Sequence, residues 1–306
     1  MLNIIVKLAP IFFFIALGRL LKKTGFANRE HADFLLKFVF FVTLPAMVLL
    51  KLPLVHLTPD KAFLPLISIA VNLGCLLAAW LATRRLDLEA TTRGVMMVGV
   101  MVINSVFMYP FILAGFGDAG FADAILFDFG NAVMTATVTY LTAFRSGTDQ
   151  RTSSRTMLAR LALSPMSWAL AAAVAMNIAS VRLPELPARC LDPIGQMTSP
   201  LILISLGIFF APKWAGLKPA VLTVVIRMGL GPILGTAIAW VTGLEGVTFW
   251  VVSLCCAAPI GFVTLTFAAL ARLNTEFASS VLSLSIFVGT VYIPVLMFLI
   301  RFINGP

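Results

Sequence analysis

Ten apolar stretches of about 20 residues follow one another along this chain, each long enough for an α-helix to cross the hydrocarbon core of a bilayer. They run approximately over 2–21, 34–52, 62–82, 94–116, 122–144, 161–180, 192–211, 218–242, 248–270 and 278–301. In hydrocarbon every backbone polar group must find its partner inside the protein, which leaves only helices or a closed barrel. The stretches lack period-2 alternation, which argues against an outer-membrane barrel. Charged residues make up 11% of the chain and hydrophobic ones 60%, where a soluble domain carries about 25% charge. The expected fold class is an all-α polytopic membrane protein.

The first stretch invites a reading as a signal peptide. Only Lys7 precedes its apolar core, however, while Arg19, Lys22 and Lys23 follow it, and there is no A-x-A cleavage site. It reads instead as a first span with its C-terminal end in the cytoplasm. The loops after spans 1, 3, 5, 7 and 9 hold fourteen Lys and Arg; the opposite loops and the C-terminus hold five. Positive residues favour the cytoplasmic side of a plasma or inner membrane, so both termini are expected outside and the 145–160 loop inside.

Other classes of function find no foothold. Cys75, Cys190, Cys255 and Cys256 form no C-x-x-C, and His31 and His56 stand far apart, so no metal site is expected. The net charge of +9 belongs to the loops, and no basic patch interleaved with aromatics suggests nucleic acid. "GFGDAG" (115–120) satisfies G-x-G-x-x-G, but no strand precedes it, and it reads as a tight turn rather than a cofactor loop. No cofactor is expected. A membrane-embedded enzyme would need clustered His, Glu or Asp such as H-E-x-x-H, which the chain lacks. "GPILG" (231–235) fits the G-x-x-x-G pattern of close helix packing.

The chain also repeats itself. Pro10 and Pro165 are 155 positions apart, as are Pro45 and Pro200, each of the latter with a hydroxyl residue two positions before it. Pro110 and Pro259 are 149 apart, in the fourth span of each half. Five spans per half is an odd number, so the second half must insert upside down. Inverted repeats with paired, interrupted helices are a signature of secondary transporters. The expected organisation is a first repeat at 1–144, a cytoplasmic linker at 145–160 and an inverted second repeat at 161–306.

"INSVFMYPFI" (103–112) breaks an otherwise apolar run with Asn104, Ser105, Tyr109 and Pro110; "CCAAPIGFVTLTF" (255–267) sets Pro259 beside Gly261, Thr264 and Thr266. Proline removes a backbone donor and pushes the helix off the carbonyl four residues back. Two spans broken at Pro110 and Pro259 would expose helix ends near the midplane, where a partly positive N-terminus can hold a carboxylate. The expectation is that helices 4 and 9 break and cross, and build a substrate site.

These segments resemble the auxin efflux carrier family, which includes plant PIN-type auxin exporters and bacterial malonate or malate carriers. The resemblance lies in "PIFFFIALGRLLKKTGF", "FVFFVTLPAMVL", "NSVFMYP", "ILFDFGNAVMT", "LDPIGQMTSPLILISLGIFF" and "APIGFVTLTFA", and covers nearly the whole chain. Asn104 and Pro110 match the family's fourth-span motif; Val106 and Tyr109 stand near positions usually held by glycine, and the spacing is one residue shorter. The resemblance implies ten transmembrane helices in two inverted five-helix repeats, with helices 4 and 9 crossing. It implies a scaffold of helices 1, 2, 6 and 7, a moving domain of helices 3–5 and 8–10, and a homodimer.

Substrate contact is expected of Asn104, Ser105, Tyr109, Asn131, Gly261 and Thr264, although a mid-span amide such as Asn104 also serves to glue helices. Arg227 lies inside span 8 and either meets a carboxylate or snorkels to the cytoplasmic surface. Asp128 is taken as the acid available inside the spans, for a proton or Na⁺, unless it merely favours the dipole at the outer end of span 5. The function expected is secondary transport of a small organic anion, such as malonate, malate or an auxin-like acid. Two alternatives are a sodium-coupled carrier of the bile-acid type and a non-transporting receptor.

Overall fold

The computed structural model describes residues 2–55, 59–147, 155–156, 159, 162–209 and 217–304. His56, Lys213 and most of the expected 145–160 linker, including Arg151 and Arg160, lie outside the described residues, as does the side chain of Lys7.

Among the described residues there is no strand, and the chain is helical throughout. In order come α1 (Leu2–Lys23), α2 (Arg29–Leu54), α3 (Lys61–Thr83), α4 (Ala90–Met101), α5 (105–116) and α6 (118–146). Then follow α7 (Pro165–Ile178), α8 (Glu185–Phe209), α9 (Leu217–Val241), α10 (Gly246–Cys256), α11 (Val263–Leu270) and α12 (Thr275–Asn304). Six helices among the described residues are long and apolar enough to cross a membrane, with α5 and α6 counted together, and α7 and α10 are shorter apolar helices. This is the build of a polytopic membrane protein.

Local chemistry sets the ends. Asn28 caps α2 by accepting from the amides of Glu30 (2.9 Å) and His31 (3.2 Å), and the His31 ring reaches back to the Asn28 amide, a capping box. Pro165 takes the first position of α7 behind the Ser164 cap, where its missing N–H costs nothing. The chain reverses between α5 and α6 at Gly117, whose φ of 63° and ψ of −156° only glycine adopts readily. π-Helical turns interrupt α2 at Val39–Thr43, α6 at Thr135–Thr139 and α9 at Ile226–Leu230; such turns are frequent at functional sites.

The chain divides into two compact units. One comprises 1–61, 109–122 and 160–211; the other comprises 62–108, 123–159 and 212–306. In the first, α1 lies so close to the second half of α8 that a Cβ on Gly18 would fall 2.1 Å from the Ile204 carbonyl oxygen. Thr198 donates to Thr43 at 3.0 Å; these are the hydroxyl residues preceding Pro200 and Pro45, 155 positions apart. The Asn177 side chain closes α2 by donating to the carbonyls of Leu52 (2.9 Å) and Val55 (2.6 Å), and Lys51 pairs with Asp118 at 2.5 Å.

The second unit is built on an apolar core that includes Val95, Val98, Val102, Tyr140, Val224, Ile260, Phe267, Phe277 and Val281, all buried. Gly231 and Gly235 let α9 settle against α10, because side chains there would meet the Cys256 oxygen and sulfur. This core surrounds two interruptions of the helical backbone, between α4 and α5 and between α10 and α11.

Candidate functional site

A helix that stops inside hydrocarbon leaves amides and carbonyls that need partners. The two interruptions supply many of these for each other. The Asn104 amide donates to the Pro259 carbonyl and the Gly261 amide to the Val102 carbonyl, each at 2.9 Å. Ile103 and Ile260 thus face each other in an isolated antiparallel bridge. Gly261 is required by this approach: a Cβ there would lie 2.7 Å from the Val102 side chain and 2.9 Å from the Ile103 carbonyl oxygen.

Side chains from neighbouring helices hold the remaining groups. The Ile103 amide donates to Asn131 Oδ1 at 3.2 Å, and the Ile260 amide to Ser285 Oγ at 3.2 Å. At the C-terminal ends of α4 and α10, orphan carbonyls meet one guanidinium. Arg227 Nη1 donates to the Val100 carbonyl (3.1 Å) and Nη2 to the Cys256 carbonyl (2.9 Å). Cations favour helix C-termini, and two such ends offset much of the cost of a charge that is wholly buried.

The break between α4 and α5 carries most of the polar chemistry. Asn104 caps α5, its Oδ1 accepting from the Phe107 amide at 3.2 Å, while its Nδ2 is buried without a hydrogen-bond partner among the described residues. The Ser105 hydroxyl contacts the half-buried Asp128 carboxylate, to which Asn131 Nδ2 also donates at 3.0 Å. Asn72 donates to Asn131 Oδ1 at 3.5 Å and accepts from Arg227 Nη1 at 3.0 Å. In the first turn of α11, Thr264 is buried and its hydroxyl has no partner among the described residues.

Eight of the residues singled out by the sequence, Asn104, Ser105, Asp128, Asn131, Arg227, Pro259, Gly261 and Thr264, therefore fall in one unit around the crossing. Tyr109 and Pro110 group with the other unit; the Tyr109 ring packs edge-on to Phe121, centroids 5.4 Å apart.

Three expectations need correction. The span does not break at Pro110. It breaks at 102–104, where Val102 turns extended (φ −95°, ψ 110°) and Asn104 caps the new helix, leaving Pro110 inside α5. The reason is that the crossing provides partners for the amides of residues 103 and 104, whereas a proline alone removes one bond and kinks a helix without ending it. Asp128 lies about three turns beyond the reversal at Gly117, too far in for a first-turn dipole role. Arg227 does not snorkel: it is wholly buried and both Nη atoms are engaged.

Two polar residues escaped sequence reading. Asn72 is a lone amide in the apolar α3, the same local signal that Asn104 gives, and it lies 155 positions before Arg227, the offset of the proline pairs. Asp123 is a second acid within span 5, fully buried and accepting from Thr248 at 2.8 Å. Among the described residues, no group of His, Cys, Asp and Glu is arranged to hold a metal ion.

Known proteins give this geometry its setting. The model of a family described as membrane transport protein matches residues 3–297. An uncharacterized transporter of Methanothermobacter thermautotrophicus is 26% identical over 290 residues, covering 93% of this chain and 94% of that protein. An uncharacterized transporter of Methanocaldococcus jannaschii is 24% identical over 293 residues, covering 92% of each. With the match spanning nearly the whole chain and two interrupted helices crossing within it, the chain belongs to the membrane transport protein family, that of the auxin efflux carriers.

Proposed function

We propose that this protein is a secondary transporter that moves a small organic anion, a mono- or dicarboxylate such as malonate, malate or an auxin-like acid, by alternating access. The observation that carries the reading is the crossing itself. Two apolar segments are interrupted at one place, and beside the interruption three buried donors, Asn104 Nδ2, Thr264 Oγ1 and Arg227 Nε, have no protein partner among the described residues. An unpaired buried donor costs about 1–3 kcal/mol, a cost removed when a ligand oxygen accepts from it. The N-terminus of α5 adds a partial positive charge at the same place.

In this reading Asn104, Ser105, Asn131 and Thr264 receive the anion, and Asp128 binds the coupling proton or Na⁺. The unit containing α3, α4 and α9–α12 moves, and the unit containing α1, α2, α7 and α8 is the scaffold and the dimer surface. The division of the chain into these units supports that assignment. Ten spans in two inverted repeats are supported by the contacts between positions 155 apart, Thr43 with Thr198 and Asn72 with Arg227. Loop charges support termini outside and the 145–160 loop in the cytoplasm.

The test is uptake and counterflow in proteoliposomes with labelled malonate, malate and an indole acid, under imposed pH or Na⁺ gradients, with Asn104→Ala alongside. Saturable flux that collapses in the variant is expected, and the gradient that drives accumulation names the coupling ion. Binding without flux would make the protein a receptor. Flux untouched in Asn104→Ala would move the site away from the crossing.

A further inference from the structure

Five polar side chains form one line of hydrogen bonds through the crossing, from Arg227 on α9, through Asn72 on α3 and Asn131 on α6, to Asp128 on α6 and Ser105 on α5. The line has a direction. A guanidinium only donates, so Asn72 must turn its oxygen to Arg227 and its NH₂ to Asn131. Asn131 must then turn its oxygen to Asn72 and to the Ile103 amide, which leaves its NH₂ for the Asp128 carboxylate. Each carboxamide has one accepting and one donating end, so the cation sets the orientation of Asn72, and Asn72, the Ile103 amide and the Asp128 carboxylate then all require the same orientation of Asn131. Reversing Asn131 would set its oxygen against the Asp128 carboxylate and its NH₂ against the Ile103 N–H and the Asn72 NH₂, three repulsive contacts.

We infer that Arg227 and Asn72 are positioning residues: with the Ile103 amide they hold the polarity of Asn131, and thereby present Asp128 to the coupling ion and Ser105 to the anion, while the guanidinium Nη groups stay on the protein. The two Nη atoms of Arg227 are committed to two helix ends and to Asn72, the whole side chain is buried, and the half-buried Asp128 carboxylate is the part of the line that reaches accessible space. The inference rests on the transporter reading.

The discriminating variant is Asn72→Asp. It is nearly isosteric and keeps the acceptor for Arg227, so a merely structural Asn72 tolerates it. As a carboxylate it cannot donate to Asn131 Oδ1, so an oxygen faces an oxygen and one of the three holds on Asn131 turns repulsive. Wild type and variant are compared by labelled-malonate counterflow and by hydrogen–deuterium exchange of the segment 102–108, with melting temperature as the control for folding. Asn72→Asp is expected to melt within a few degrees of wild type, to exchange the 102–108 amides about tenfold faster, and to raise the KM for malonate about tenfold, as a loss near 1.4 kcal/mol implies. Adding Asp128→Asn gives a reversed Asn131 a donor to accept from, and should return the melting temperature toward wild type while the Ile103 amide, now facing the Asn131 NH₂, still exchanges fast and flux stays low. Asn131→Asp, which keeps the acceptor for Ile103 and loses the donor to Asp128, is the second variant should Asn72→Asp fail to fold. Wild-type exchange and wild-type KM in the aspartate variants overturn the inference. Absence of malonate flux in wild type would count against the malonate reading, and the exchange measurement would still decide the orientation of Asn131.

Discussion

At the first interruption the Ile103 amide is held by the carboxamide of Asn131; at the second the Ile260 amide is held by the hydroxyl of Ser285. The two interruptions answer each other in backbone, each lending one carbonyl and one amide to the other. They differ in what stands behind them. Asn131 leads on to Asp128, Ser105, Asn72 and Arg227, whereas Ser285 donates only to the Leu282 carbonyl of its own helix. Asn104 caps α5 with its side chain; Phe262, at the head of α11, has no side chain to do so. Arg227 touches both interruptions, but the carboxylate and the two asparagine side chains stand behind the first alone. The second side adds the Thr264 hydroxyl, and the first carries most of the polar chemistry.

Substitutions at the two sides can break or sharpen that contrast. The largest effect is expected from Gly261→Leu, which drives a side chain into Val102 and the Ile103 carbonyl and separates both interruptions at once. Overpacking alone costs about 1–3 kcal/mol, and the lost bridge adds to it. Melting temperature should fall steeply and flux should vanish; a variant that stays folded and active would mean the crossing is dispensable.

Next comes Asp128→Asn. It keeps the shape and removes the charge at the end of the line, so flux should fall about tenfold to a hundredfold, the worth of hydrogen bonds to a charged group at roughly 1.5–3 kcal/mol. Stability measured in detergent should change far less than transport.

The third test sets Asn131→Ala beside Ser285→Ala. Each leaves a buried backbone amide unpaired, at about 1–3 kcal/mol, so both should lower the melting temperature. Only Asn131→Ala should also raise the KM for the transported anion. Equal losses of flux in the two variants would erase the distinction between the two sides.

The smallest effect is expected from Pro110→Ala. Because α5 already begins at Ser105, the change restores one helical bond and should shift stability by no more than about 1 kcal/mol. Pro259→Ala lies within the second interruption and should cost more. If instead Pro110→Ala abolishes flux, that proline has a role the crossing does not explain.

Much of this molecule was legible from residue order, and some was not, for physical reasons. Span length and apolarity are local, so the membrane class, the long apolar helices and the existence of two interrupted segments were all readable. Asn104, Ser105, Asn131, Gly261 and Thr264 could be picked out because a polar or small residue in hydrocarbon stands out against its neighbours. The position of the first break could not be read. Pro110 carries the visible signal, yet the helix ends before Asn104, because a backbone amide is released from its helix only where another partner waits for it. The partners here, the Pro259 carbonyl and the Asn131 carboxamide, lie far along the chain. Arg227 was ambiguous for the same reason. Its charge is evident in the sequence, but the two helix ends and the asparagine that receive it, 127, 29 and 155 positions away, come together only on folding. Residue order by itself determined which groups would need partners in a medium without water. Tertiary structure alone decided which partners they found, because hydrogen bonds across an interruption are made between segments that the chain keeps far apart.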